Sequence, residues 1–244
     1  MASGSSEIPV TKLVETNETF VLNKFRGFAV EISDQEMEEM DIDPNSQVLL
    51  DAKEQFARTF DLEIFSNFAS ASMVVQDGDM ETVTNGGTTN PIIATKANFY
   101  EIIRKVNLKM NKAVDSLGNA TGLPNTDRWL VISPDEAYHM EAMPEVLRST
   151  DMGDRIVTGE MIGKLRNLTI YSTNLLSTVS TTRNCLFGQG KPISFGANLR
   201  PKIQFVSSNT QANTFLNYMK GMTRYNSRVF SEGAERLGVL KTRV

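Results

Sequence analysis

The sequence predicts an α+β fold, and three features carry that expectation. Apolar residues recur every fourth position from Val48 to Phe68. A second apolar stripe runs from Phe99 to Leu117, and the chain after Cys185 breaks into short strand-like runs. Without regular β-α-β alternation, these elements argue against a doubly wound sheet. At 244 residues the chain is long enough to bury a sizeable core, in one large domain or two joined ones.

Taken in order, Phe20, Leu22, Phe28, Val30 and Ile32 alternate with polar residues and predict a strand over 19–32, with Gly27 as a bulge or bend. From Glu31 to Asp43 there are seven carboxylates and no basic residue. This block reads as a cation site, as an interface for a basic partner, or as a solvated turn before a helix. It lacks the spacing of a calcium loop. Pro44 can open a helix. Val48, Ala52, Phe56, Phe60, Ile64 and Phe68 then form one ridge, which predicts a helix over about 45–70, roughly 35–40 Å long. Residues 76–91 read as a turn-rich loop or hairpin with Asn85-Gly86-Gly87 at its tip.

The second helix is predicted over 96–117, with Phe99, Ile102, Ile103, Val106, Met110, Ala113, Val114 and Leu117 on one side and Gly118 as the stop. Its other side carries Arg104, Lys105, Lys109 and Lys112. A basic amphipathic helix of this kind suits a membrane surface, an acidic partner, nucleic acid, or simply solvent. Arg128–Ser133 predicts a short buried strand ended by Pro134, followed by a helix over 135–147 that breaks near Pro144. Strands are then predicted over 162–173, 186–187, 193–195, 203–206 and 215–229, the last followed by a turn at Gly233–Leu237.

Composition narrows the function more by exclusion than by signal. Forty per cent apolar and 22% charged residues are ordinary globular usage, and a net charge of −4 gives no overall nucleic-acid signature. Cys185 and His139 are the only cysteine and histidine, which excludes an intrachain disulfide and disfavours Cys/His metal sites. Cys185, flanked by apolar residues, reads as a small buried hydrophobe. No apolar run reaches the roughly 18 residues of a membrane span, and the opening MASGSSEIPV has no signal-peptide pattern.

Catalytic motifs are equally scarce. Gly188-Gln189-Gly190-Lys191-Pro192 lacks the spacing of a phosphate-binding loop, and Pro192 removes an amide donor. There is no G-x-S-x-G elbow, and His139 sits in no nucleophile or H-E-x-x-H pattern. No catalytic, cofactor or metal residue is assigned.

Charge segregation points elsewhere. The acidic block, including Glu36, Glu38 and Glu39, precedes the long helix. The C-terminal segment carries Lys220, Arg224, Arg228, Arg236, Lys241 and Arg243 against Glu232 and Glu235. Such segregation suits head-to-tail contacts between copies, or a meeting of the two ends within one subunit.

In their order, the strand, acidic turn, long helix and second helix, with RWLVISP (128–134), GEMIGKLRNLTIYSTN (159–174), Leu186-Phe187-Gly188 and RYNSRV (224–229), resemble the tailed-bacteriophage major capsid proteins. That family has the Hong Kong 97-like fold, shared with encapsulins. The resemblance covers nearly the whole chain from about residue 20. Asn167 stands where the family has a glycine, and the N-terminal arm and extended loop look shortened.

The resemblance implies residues 1–33 as an N-terminal segment with a remnant of the extended loop. It implies 34–118 plus 214–244 as a peripheral domain built on a spine helix, and 119–213 as an axial domain. The function it implies is a structural, non-enzymatic subunit that self-assembles through pentamers and hexamers into an icosahedral phage head around double-stranded DNA. Such a subunit would be made in the host bacterial cytoplasm and end in the virion. Scaffolding, portal and decoration proteins are the further partners implied, without cofactor or membrane. The early strand would lie on a neighbour. Asp151, Asp154 and Arg155, in the 147–162 loop, join Glu36, Glu38, Glu39, Arg224 and Arg228 as subunit-interface candidates. Arg104, Lys105, Lys109 and Lys112 are candidates for inner-surface DNA contacts. An encapsulin-like shell around protein cargo is the nearest alternative, and a small-molecule enzyme a remote one.

Overall fold

A computed structural model describes residues 18–33, 44–115, 118–120, 122–143, 161–198, 202–207 and 216–243. Two sheets organise them. The smaller is four-stranded and antiparallel, with β1 (Lys24–Ser33), β8 (Ile193–Ala197) and β9 (Lys202–Ser207) all pairing with β10 (Leu216–Val229). The fourteen residues of β10 are long enough to take β1 along one edge while β9 and then β8 share the other.

The larger sheet has seven strands. Its order is β2 (Met73–Val75), β11 (Leu237–Arg243), β7 (Thr182–Gln189), β3 (Arg128–Ile132), β5 (Leu168–Ser172) and β4 (Met161–Leu165), with β6 (Thr178–Val179) also on β7. The β2–β11 and β3–β5 pairs are parallel and the rest antiparallel.

The long helix α1 spans Pro44–Phe65, about 33 Å at 1.5 Å per residue, with proline at its first position. The expected extension to residue 70 is present as a 3-10 helix, Ser66–Ser70. The second helix, α2 (Phe99–Asn111), ends six residues before the predicted Leu117. There the chain doubles back, and the amides of Leu123 and Gly122 take the carbonyls of Met110 and Ala113 at 2.9 and 3.1 Å. Those bonds satisfy groups that another helical turn would need. Helix α3 (Pro134–Glu141) starts on a capping box between Ser133 and Glu136, with Pro134 in its first turn. A short helical turn, α4 (Ser231–Ala234), joins β10 to β11.

The core lies mainly on one face of the larger sheet. Phe99, Ile102, Ile103, Val106 and Met110 of α2 pack with Leu130, Ile132, Ile170, Phe187 and Leu240, all fully buried. On the other face, Leu186, Leu237 and Val239 pack against Phe65 and Phe68. The end of α1 therefore fills the back of the larger sheet while its body carries the smaller one.

Two expectations need correction, the bulge at Gly27 and the single strand over 162–173. Strand pairing runs across the 34–118/214–244 and 119–213 boundaries. β2 and β11, expected in the peripheral part, complete the larger sheet, and α2 packs on it, while β8 and β9, expected in the axial part, extend the smaller sheet. Gly27 makes no bulge, because β1 and β10 stay in unbroken register from Lys24↔Tyr225 to Ser33↔Leu216. The early strand pairs along β10 of its own chain. The single strand expected over 162–173 is a hairpin, turned at Arg166 and Asn167 with φ of 50° and 64°. Asparagine tolerates a positive φ better than most residues, which suits Asn167 where the family has glycine, while Arg166 adopts the left-handed region without that tolerance.

Candidate assembly interface

One face of the smaller sheet lies on α1; among the described residues the other is covered at its β8 end by residues 18–22 and is open around Phe25 and Met222. Opposed residues of an antiparallel pair share a face, so the hidden side carries Phe28, Gly221, Thr223, Tyr225 and Ser227. Phe28 meets Phe56 edge-on at 5.7 Å between centroids. Phe60 stands 5.2 Å from Tyr225 and 5.1 Å from Phe195. Gly221 is a packing requirement, since a Cβ there would run into the Phe28 ring. Polar ties fix the register on α1. Lys24 Nζ donates to Glu63 at 2.6 Å, and Ser227 Oγ donates to the Glu63 carbonyl at 3.0 Å.

The open face pairs Phe25 with Arg224, Gly27 with Met222 and Ala29 with Lys220. Phe25 is 55% and Met222 47% exposed. The Arg224 guanidinium lies 4.7 Å over the Phe25 ring. Arg228 stacks at 5.5 Å over Phe230 and ion-pairs with Glu18 at 3.5 Å. Hydrogen bonds from Ser231, side chain first and then backbone, hold the Glu18 carboxyl below its usual range. The surface is thus basic and apolar together, with planar groups held by stacking.

Of the interface residues named from sequence, Arg224 and Arg228 lie on this face. Glu36, Glu38, Glu39, Asp151, Asp154 and Arg155 lie outside the described residues. Arg228 pairs with Glu18 of its own chain, a carboxylate outside the 31–43 block. Phe25, Met222 and Phe230 were not singled out. Their signal was the exposed-face parity of two strands whose pairing the sequence does not reveal.

The basic side of α2 is partly neutralised. Lys109 pairs with Asp79 at 2.8 Å, and Lys105 approaches Glu81 at 3.9 Å. Arg104 and Lys112 are exposed and make no ion pair among the described residues. The loop supplying those acids is organised by Asp77, fully buried, whose carboxylate accepts from Thr84 Oγ1 at 2.6 Å and from the amides of Thr84 and Asn85 at 2.7 Å. Burial pushes this carboxyl up. The bonds from Thr84, Asn85 and Gly87 outweigh that and hold it below the ordinary value.

Inside the larger sheet a polar knot joins α3, β7 and β11. Glu136 accepts from the Ser133 hydroxyl and amide and from Thr242 Oγ1 at 2.7 Å, with Arg183 at 3.4 Å. Burial opposes the charge of Arg183, but Asp135 and Glu136 keep it protonated. Cys185 beside this knot is fully buried, and burial first, then the Glu136 charge, pushes its thiol far up. The thiol is therefore inert at neutral pH. No cluster of metal-ligating side chains exists among the described residues, and no described helix is long and apolar enough to cross a membrane.

A spine-like helix under an open sheet, joined to a larger mixed sheet, is the architecture of phage-head subunits. The capsid of the cyanophage P-SCSP1u superposes with a TM-score of 0.65 at 16% identity, covering 99% of this chain and 80% of that one. A chain from Mycobacterium phage Che8 gives 0.65 at 13% identity, over 90% of this chain and 71% of that one. The capsid of Ralstonia phage GP4 gives 0.63 at 9%, over 90% and 72%. At these identities the likeness concerns fold, and it bears out the Hong Kong 97-like expectation. The sequence also matches the family described as phage capsid protein over residues 16–223, and the chain belongs to that family. It is a structural major capsid protein. No curated protein matches it in sequence.

Proposed function

We propose that copies of this chain assemble through pentamers and hexamers into the icosahedral head of a tailed phage and enclose its double-stranded DNA, without catalysis. The observation that carries this reading is the family match over residues 16–223 on a fold whose smaller sheet leaves a basic, apolar patch at Phe25, Met222 and Arg224 exposed. That match favours a phage head over an encapsulin-like shell. The unit of α1 and the smaller sheet serves as the peripheral domain and the larger sheet as the axial domain. The open face receives a second copy, and the acidic segment around Glu36, Glu38 and Glu39 is the complementary surface. Asp151, Asp154 and Arg155 contribute at the symmetry axes. Synthesis takes place in the host bacterial cytoplasm before incorporation into the virion.

Electron microscopy of the purified protein beside an Arg224→Glu variant tests this reading. Closed shells are expected from the wild type. The variant should remain folded, within about 0.5 kcal/mol of wild type, because Arg224 is a surface residue. It should nevertheless lose assembly, as a carboxylate would meet the partner's acidic segment. Shells formed equally well by both would reject this face as the contact, and dispersed subunits from the wild type under all assembly conditions would reject assembly itself.

A further inference from the structure

We propose that the cavity between α2 and the β4–β5 turn binds a backbone phosphate of nucleic acid. The cavity measures about 340 Å³ and is lined by Arg104, Lys105, Arg166, Asn107, Asn111 and Glu81. Three cations there meet one carboxylate. Glu81 reaches Lys105 only at 3.9 Å and has a mostly exposed side chain, so solvent weakens its hold. Its backbone amide is already bound to Glu101 Oε1 at 2.6 Å, which leaves Glu101 engaged at the loop.

A buried cation behind two of the lining residues adds positive potential. Arg128, 2% exposed, donates to the side-chain oxygens of Asn107 at 3.1 Å and Asn111 at 2.7 Å, and to the carbonyls of Pro124 and Leu123. None of these acceptors is a carboxylate, and no acid pairs with Arg128 among the described residues. A buried guanidinium satisfied only by neutral oxygens keeps its full charge behind the two asparagines that line the site. Burial acts against that charge and lowers the basicity of Arg128. An anion in front of it would relieve the cost.

Arg166 completes the site from 55 residues beyond Asn111 in sequence. The β4–β5 turn delivers it, and its guanidinium lies 5.1 Å over the Tyr100 ring, which limits its freedom. Two guanidinium forks and an ammonium suit the several oxygens of a phosphate. The choice of nucleic acid over an acidic peptide rests on the proposed reading of the chain as a shell around DNA. It also changes the composition of the basic surface: Lys109, tied to Asp79, contributes less than Arg166, which sequence periodicity cannot connect to α2.

The test measures binding of a 12-base-pair duplex and of poly-L-glutamate to the full chain across a salt series. Wild type is compared with a Lys105→Gln, Arg166→Asn double variant and with Lys191→Gln as a control at a separate surface cavity. Asparagine suits the positive φ of residue 166, so the turn is retained. The double variant should bind the duplex about tenfold more weakly, with a slope of log K against log salt shallower by about 1–2. The control should match wild type. Unchanged duplex binding in the double variant would overturn the proposal, and so would tighter binding of poly-L-glutamate than of duplex at the same site. Shell formation, scored on the same preparations by microscopy, tests the underlying assembly reading separately. Shells whose duplex binding ignores the substitutions reject the pocket alone.

Discussion

The two sheets solve the same problem to different degrees. The larger sheet buries both faces of its central strands and leaves Tyr171 of β5 and Val179 of β6 exposed. Phe187, Leu130, Ile132, Ile170 and Leu240 are fully covered on one side, and Leu186, Leu237 and Val239 are covered or nearly so on the other. The smaller sheet buries one face, and even there its aromatic contacts with α1 are only half-covered at Phe28, Phe56 and Phe60. Its outer face leaves Phe25 and Met222 to solvent. The exposed patch around Phe25 and Met222 marks where further burial comes from outside the subunit, and the larger sheet holds most of the subunit's own core.

The largest expected effect tests that difference in burial. Phe187→Ala removes a fully buried ring from the larger sheet and should cost about 3–5 kcal/mol in denaturant unfolding of the free subunit. Phe25→Ala on the open face should cost within about 0.5 kcal/mol in the same assay. Comparable losses at the two sites would break the contrast.

A smaller effect, at Asp77, adds a pH dependence to the closed half. Its carboxyl is held below its unfolded value of about 3.9. The stabilisation it provides is therefore fully present above that pH and is lost as pH falls through the lower, folded value. Asp77→Asn should cost about 1–3 kcal/mol at neutral pH, by leaving donors of Thr84 and Asn85 less well satisfied, and should flatten the acid limb of the stability profile. An unchanged acid limb would remove Asp77 from the account. Smallest in stability is Arg224→Glu, whose consequence should appear in assembly alone.

Periodicity made the helices legible, since Phe99, Ile102, Ile103, Val106 and Met110 mark one face of α2. The same rule overran its end, because Val114 and Leu117 keep the spacing after the Gly122 and Leu123 amides have already claimed the last carbonyls. Strand β11 escaped notice for a different reason. Leu237, Gly238, Val239 and Leu240 are all buried between β2 and β7, so they read as a continuous apolar run with no alternation to flag a strand. Capsid identity was legible in the collinear order of weak motifs. The open face was not, because it depends on β1 pairing with β10 across almost two hundred residues. Arg166 was hidden in the same way, as a turn residue whose partners lie on a helix from another part of the chain.

Residue-resolved oxidation of Met222, measured by mass spectrometry on free subunits and on assembled particles, tests the central claim most directly. The thioether lies on the open face, opposite Gly27, and is accessible in the isolated chain. Met222 should oxidise readily in the free subunit and become strongly protected in the particle, while buried Met110 stays protected in both. Equal oxidation of Met222 before and after assembly would contradict the claim that this face is covered by a second copy.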